Sequence, residues 1–255
     1  MFVDTHTHIY LEDFDKDRKV IIEEGYRLNV KKLFLPNIDL NTIEKVVEIS
    51  NKYKNICYPM VGLHPCSVKQ NFSAELQVLK SYIKKLKPVA IGETGLDLYW
   101  DKSTINEQIA AFKEQIKWAK EFNLPIVIHA RNSYKEIFKV LDVLNNEKLT
   151  GIFHCFSSNL NDAEHILNYG GFKLGIGGVV TFKNSGLDKI LEKIPLKNIV
   201  LETDSPYLSP APFRGKRNKS SYIPLIAKKI SEIYKRELSD IEKITTKNAL
   251  EIFKL

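Results

Sequence analysis

Pro88-Val89-Ala90-Ile91-Gly92, then Ile105, Ile109, Phe112, Ile116 and Trp118-Ala119, then Pro125-Ile126-Val127-Ile128: this part of the chain reads as strand, helix and strand. A short apolar run bounded by Gly or Pro fits a buried strand, and apolar residues at spacings of three and four fit a helix with one buried stripe. Outward from this unit the same alternation recurs until eight strand candidates are counted. They are Met1 to Thr5, Lys31 to Pro36, Ile56 to Leu63, Pro88 to Gly92, Pro125 to Ile128, Gly151 to Phe153, Phe172 to Ile176 and Asn198 to Glu202. After the second strand, Ile43, Val46, Val47 and Ile49-Ser50 repeat the helical spacing, and Asn41-Thr42, Ser103 and Ser133 are candidate helix N-caps. Eight such units in 255 residues predict an α/β fold, a (β/α)8 TIM barrel, with residues 1–255 as one domain. The tail from Ser239 to Leu255 adds one amphipathic helix, with Ile241, Ile244, Ala249-Leu250 and Phe253 to bury.

Composition narrows the class of function. Hydrophobic residues make up 44% and charged residues 27%, an ordinary soluble balance, and no apolar stretch approaches bilayer length. The chain opens on a strand that meets Asp4 at once, unlike a secretory leader, and its three cysteines are odd in number without paired spacing. The expectation is a cytoplasmic protein with no membrane contact and no obligate protein partner evident. The net charge of +7 is concentrated: six basic residues and no acidic one lie between Ser205 and Ser231. A local positive field of that kind favours an anionic partner such as a phosphodiester backbone. Lys228-Lys229 reads as a solvated helical face, whereas Arg214 to Lys219 follows the last strand and belongs near a site.

In such barrels the active site is built where the strands end. The first strand candidate runs into His6-Thr7-His8, the third into His64-Pro65, the fourth into Glu93, the fifth into His129, the sixth into His154 and the eighth into Glu202-Thr203-Asp204. Five of the six histidines thus fall at one rim; His165, inside a helical stretch, does not. Imidazoles mixed with carboxylates suit zinc, manganese and similar ions. A carboxylate has two oxygens and can bridge two cations. The assignment that follows gives His6, His8 and Asp204 to one ion and His129 and His154 to a second, with Glu93 between them. Two neighbouring divalent ions serve metal-assisted hydrolysis. Zn²⁺, Mn²⁺ and Mg²⁺ are not separated by ligand type alone.

Asp4-Thr5-His6-Thr7-His8, Gly62-Leu63-His64-Pro65, Ile91-Gly92-Glu93-Thr94-Gly95-Leu96-Asp97 and Pro125-Ile126-Val127-Ile128-His129-Ala130-Arg131 carry a family resemblance. So do His154-Cys155-Phe156-Ser157 and Glu202-Thr203-Asp204-Ser205-Pro206-Tyr207-Leu208. In these six ordered motifs the chain resembles TatD-type metal-dependent hydrolases of the amidohydrolase superfamily, from its first residues through Arg217. The resemblance implies a divalent-metal-dependent deoxyribonuclease, exonucleolytic on single-stranded DNA ends, with metal roles on His6, His8, Glu93, His129, His154 and Asp204. Glu93 stands where many members of the wider superfamily use a modified lysine, which favours the TatD branch.

The catalytic candidates are Asp204, as acceptor of a water's proton, and Glu93. Arg214 is expected to clamp a phosphate, its planar fork matching the oxygens. Arg131 is a second clamp or a structural ion-pair partner. His64 orients substrate or water, or holds the Leu63-His64-Pro65 turn. Tyr99 and Trp100 offer a face for a base or pack their loop shut. Glu202 supports a ligand or is one. Lys219-Ser220 departs from the Glu-Pro or Glu-Ser expected of relatives and is expected to add positive charge beside the site. The alternative substrate class is an ester or amide, as in aminoacyl-tRNA or a small molecule.

Overall fold

In the computed structural model, which describes residues 1–255, eight parallel strands follow one another around a barrel in chain order. They are β1 (Phe2–Asp4), β2 (Val30–Leu35), β3 (Cys57–Val61), β4 (Ala90–Asp97), β5 (Ile126–Arg131), β6 (Gly151–Phe153), β7 (Phe172–Ile176) and β8 (Ile199–Leu201). The helices are α1 (Arg18–Arg27), α2 (Ile43–Lys52), α3 (Phe72–Leu86), α4 (Ile105–Glu121), α5 (Tyr134–Leu144), α6 (Leu160–Asn168), α7 (Leu187–Leu191), α8 (Ile223–Tyr234) and α9 (Leu238–Phe253). The α/β expectation and the extra C-terminal helix both hold. None of these helices is long and apolar enough to cross a membrane.

Strands flanked by helices on one side and by packed side chains on the other become apolar on both faces, and every residue of β4, β6 and β8 is buried. The helices answer with one buried stripe each: Ile43, Val46 and Ile49 on α2, or Phe112, Ile116 and Ala119 on α4. Closure between β8 and β1 runs through main-chain bonds just beyond the strand ends. Thr5 N–H donates to the Leu201 carbonyl (3.0 Å), Asp204 N–H to His6 (2.9 Å) and His8 N–H to Ser205 (2.8 Å). Buried Asp4 clasps the same seam, accepting from Thr203 N–H at 2.9 Å and from the Thr203 hydroxyl at 2.6 Å.

The barrel interior is sealed at the end where the strands begin. Val3, Phe34, Met60, Ala90, Val127, Ile152 and Val200 form one apolar cluster with Ala249, Ile252 and Phe253 of α9. The Phe253 ring stacks on Phe34 with centroids 4.0 Å apart. Asn248 donates to the Leu196 and Ile199 carbonyls (2.9 and 2.7 Å), which fixes α9 across that end.

Strand limits differ from the expected ones mostly by one or two residues, with two larger exceptions. β4 continues through Glu93 to Asp97 and β5 continues through His129 to Arg131, so these polar residues lie inside strands rather than after them. The β4–β5 register shifts between Ile91 and Thr94, and pairing resumes with Thr94 opposite Ile128 and Gly95 opposite His129. Gly95 permits this: its φ is +134°, and a Cβ there would stand 2.1 Å from the His129 carbonyl oxygen. Thr42 and Ser133 occupy the N-cap positions of α2 and α5 as expected, while Thr104 rather than Ser103 precedes α4.

Candidate metal centre

The irregular end of β4 carries Glu93 into the middle of the barrel mouth, where its two carboxylate oxygens face two different sets of imidazoles. Oε2 is 3.2 Å from His6 Nε2 and 3.7 Å from His8 Nε2, the two nitrogens being 3.3 Å apart. Asp204 Oδ1 completes this group at 3.6 and 3.4 Å from the same nitrogens. Oε1 lies 2.9 Å from His129 Nδ1 and 2.8 Å from His154 Nε2, themselves 3.3 Å apart. The structure therefore brings together all six residues expected to bind metal, in the two groups expected, with Glu93 between them.

Hydrogen bonds behind the ring nitrogens fix which atoms are free. Tyr10 donates its hydroxyl hydrogen to the Pro36 carbonyl (2.6 Å), so its oxygen accepts from His8 Nδ1–H (2.8 Å). That leaves the His8 Nε2 lone pair pointing at the group. His129 Nε2–H donates to Asp97 Oδ2 (2.9 Å), which leaves Nδ1 free. His154 makes no such hydrogen bond, but its Nδ1 faces the Glu202 carboxylate, with Oε1 3.5 Å away, and that charge favours the hydrogen on Nδ1 and leaves Nε2 toward Glu93. With these tautomers, nitrogen lone pairs would meet a carboxylate oxygen at 2.8–2.9 Å. Only a proton or a cation between them makes that attractive. Donor atoms each about 2.0–2.2 Å from one ion also stand close to 3 Å apart, so the residues present fit divalent metal.

His64 is built the opposite way. Its Nδ1 accepts from Cys66 N–H (3.1 Å), which places the hydrogen of the neutral ring on Nε2, 3.4 Å from Glu93 Oε1. The ring holds its turn and also shows the site a donor, so the two readings of His64 coexist.

Electrostatics agree with a centre made for positive charge. Burial raises the Glu93 carboxyl, but His154, His64 and His6 outweigh it and hold it well below the usual carboxylate range. Burial lowers His129 and His154, yet Asp97 and Glu93 for the first, and Glu93 and Glu202 for the second, leave both raised. His6 is lowered, first by burial and then by His154.

Comparison with known proteins decides the family. The sequence profile of the TatD related DNase family matches residues 3–254. The chain belongs to that family. It is 37% identical to the uncharacterized metal-dependent hydrolase YabD of Bacillus subtilis, covering the whole of both chains. It is 34% identical to the uncharacterized metal-dependent hydrolase BU355 of Buchnera aphidicola over 99% of each. The crystal structure of YjjV, a TatD homologue from Escherichia coli, superposes with a TM-score of 0.93 at 27% identity, covering 100% of this chain and 98% of that one. This is a TatD-family metal-dependent hydrolase on a TIM barrel.

In this TatD-family chain the centre opens into a cleft of about 620 Å³, lined among others by His8, His64, Glu93, His129, Arg131, His154 and Asp204. The Asp204 side chain is 15% exposed against 3% for Glu93, so Asp204 is the more open of these two carboxylates to the cleft. Arg131 lies at the rim without a carboxylate within ion-pair distance; its guanidinium rests 3.9 Å over the Tyr99 ring. Arg214 is placed elsewhere. It sits over Phe182 and lines a neighbouring groove with Thr181 and Lys183, joined to the metal cleft through Val179. The expected charge excess beyond Asn218 is also corrected: Lys219 Nζ is 2.7 Å from both Glu24 oxygens and Arg217 pairs with Asp17. Glu24 of α1 and Asp17 just before it thus neutralise two of the four cations from Arg214 to Lys219, and Asn218 braces the Asp204 loop by donating to the Thr203 and Tyr207 carbonyls (2.7 and 2.6 Å).

Sequence reasoning missed the residues that hold the centre from outside. Asp97 follows Glu93 at i+4 on a strand, so the two carboxylates share a face and take the two nitrogens of His129 between them. Gln108 and Gln115 sit two turns apart on α4. Gln115 accepts from Leu63 N–H (2.8 Å) and donates to its carbonyl (3.2 Å); Gln108 does the same for Asp97 (2.9 and 3.2 Å). Their signal was two fully buried glutamines at i and i+7 beside an apolar stripe. Glu202 lies behind His154: Oε1 accepts from Cys155 N–H, and Gly175 makes room for the carboxylate, since a Cβ there would lie 2.2 Å from Oε2.

Proposed function

We propose that this TatD-family hydrolase cleaves phosphodiester bonds in DNA, removing nucleotides from single-stranded ends. The observation that carries the reading is the division of Glu93: one oxygen toward His6 and His8, the other toward His129 and His154, in a cleft rimmed by an unpaired Arg131. Divalent cations held by His6, His8, Glu93, His129, His154 and Asp204 would supply Lewis acidity and make water a nucleophile near neutral pH. Asp204, the more open carboxylate, accepts the proton of the attacking water. The water oxygen bonds to phosphorus as the bond to the 3′-oxygen breaks, and the proton held on Asp204 is available to the departing oxygen. His64 Nε2–H donates to a phosphoryl oxygen, and Arg131 holds the neighbouring phosphate. Arg214, in the adjoining groove, is placed for a phosphate further along the strand. The buried Cys155 thiol is raised well above its ordinary value, first by burial and then by Asp204 and Glu202, so it stays protonated and is no nucleophile.

The test is degradation of end-labelled single-stranded DNA by metal-stripped protein with Mg²⁺, Mn²⁺ or Zn²⁺ restored, beside Asp204→Asn. Metal-dependent laddering that the variant lacks supports the reading. DNA intact under every metal, with hydrolysis of an aminoacyl-tRNA or a simple ester, assigns the site to that chemistry instead.

A further inference from the structure

Tyr99 and Trp100 are the most exposed large aromatics beside the metal cleft, at 54% and 70% against 50% for Tyr207. Their loop is nevertheless built. Asp97 Oδ1 accepts from the N–H groups of both Tyr99 (2.9 Å) and Trp100 (3.1 Å), while its Oδ2 accepts from His129 Nε2–H. Leu98 N–H donates to the Arg131 carbonyl at 2.9 Å, which ties the loop to the strand that carries His129. One carboxylate therefore sets the orientation of a metal-binding imidazole and the position of two exposed rings. The rings meet edge to face, centroids 5.0 Å apart, and the Arg131 guanidinium lies 3.9 Å from the Tyr99 centroid and 5.3 Å from that of Trp100. Trp100 and Arg131 both line the cleft.

We infer that Trp100, backed by Tyr99 and Arg131, is a shelf on which one unpaired nucleobase stacks while its phosphate enters the metal cleft. The inference rests on the nucleic-acid reading above and adds what is recognised: the face of a base, not only the charge of a backbone. Exposed aromatic surface of this size suits a partner with a π-face, and the cation lying on it, Arg131, has no carboxylate within ion-pair distance and suits the phosphate attached to that base. A base inside a duplex has both faces covered by its neighbours. The shelf therefore accepts an end that is already single-stranded or has frayed.

The chain offers its own probe, because its other tryptophan, Trp118, is 1% exposed and donates to Glu114. Binding to the Mg²⁺-loaded protein is followed by tryptophan fluorescence in the parent and by the anisotropy of a dye-labelled oligonucleotide in parent and variants alike, using a cleavage-resistant phosphorothioate strand, its abasic counterpart of equal length and a blunt duplex. The expected result is quenching by the base-bearing strand, with affinity lower by roughly tenfold or more for the abasic strand and for Trp100→Ala. Trp100→Phe should regain most of it. Equal affinity for base-bearing and abasic strands, or an unchanged Trp100→Ala, overturns the inference. The two readings fail separately. DNA degraded without regard to its bases removes the shelf and keeps the hydrolase. Base-dependent quenching with DNA left intact keeps the shelf and removes the phosphodiester assignment.

Discussion

Where the strands begin, Phe253 stacks on Phe34 over Val3, Met60, Val127 and Val200; where they end, Glu93 lies among five imidazoles. The first end gains from burial, of the order of 1.5–3 kcal/mol for each large apolar side chain. The second spends stability. His6 Nδ1, Thr94 Oγ1, His154 Nδ1 and Glu202 Oε2 are buried there with no protein hydrogen-bond partner, and Cys155 and Asp204 hold left-handed backbone, with φ of 48° and 56°. Placing a short polar mouth above an apolar plug lets the same strands tolerate a centre that is unfavourable by itself.

Substitutions at the two ends should separate these roles. Glu93→Gln should lower kcat/KM by about 10³-fold or more, measured on end-labelled DNA, with a melting temperature at least equal to that of the metal-free parent. A loss of folding instead would mean that the mouth is also a keystone. Phe253→Ala should do the reverse, costing about 3–5 kcal/mol in denaturant unfolding while activity per folded molecule stays near that of the parent. Asp97→Asn removes the carboxylate behind His129 and should weaken metal affinity about 10–100-fold, read by competition with a chelating dye, with little change in stability. The smallest effect belongs to neither end. Asp142, on α5, accepts from the Tyr169 hydroxyl and from His165 Nε2 on the surface, and the Tyr169 bond, followed by His165, holds its carboxyl below its ordinary value. A depressed carboxyl stabilises above its unfolded value of 3.8 and loses that contribution as pH falls through the folded one. Asp142→Asn should therefore cost under about 1 kcal/mol at pH 7, and the difference from the parent should shrink in urea titrations below pH 3.8.

The eight strands were legible because each is a short apolar run and the chain sets the runs in order around the barrel. The metal-binding candidates were legible because they follow those runs in sequence. What the sequence hid depends on contacts between distant segments. Lys219 reads as free charge until Glu24 of α1 is found against it, and Arg214 reads as a rim residue until its loop is seen to turn over Phe182. Asp97 was within reach, four residues after Glu93 on one strand, but the strand had been ended at Gly92. Its true length depends on the register shift opposite β5.

The β8–β1 seam has a consequence for the birth of the molecule. His6 and His8 are made long before Asp204, with seven of the eight strands between them, yet they share one group and one run of main-chain bonds. At roughly 5–20 residues per second, about 10–40 s separate their synthesis. During that interval the nascent chain carries two early ligands with no partner carboxylate from β8. Full affinity for metal arrives only when β8 closes on β1, so taking up the ion doubles as a report that the barrel has closed.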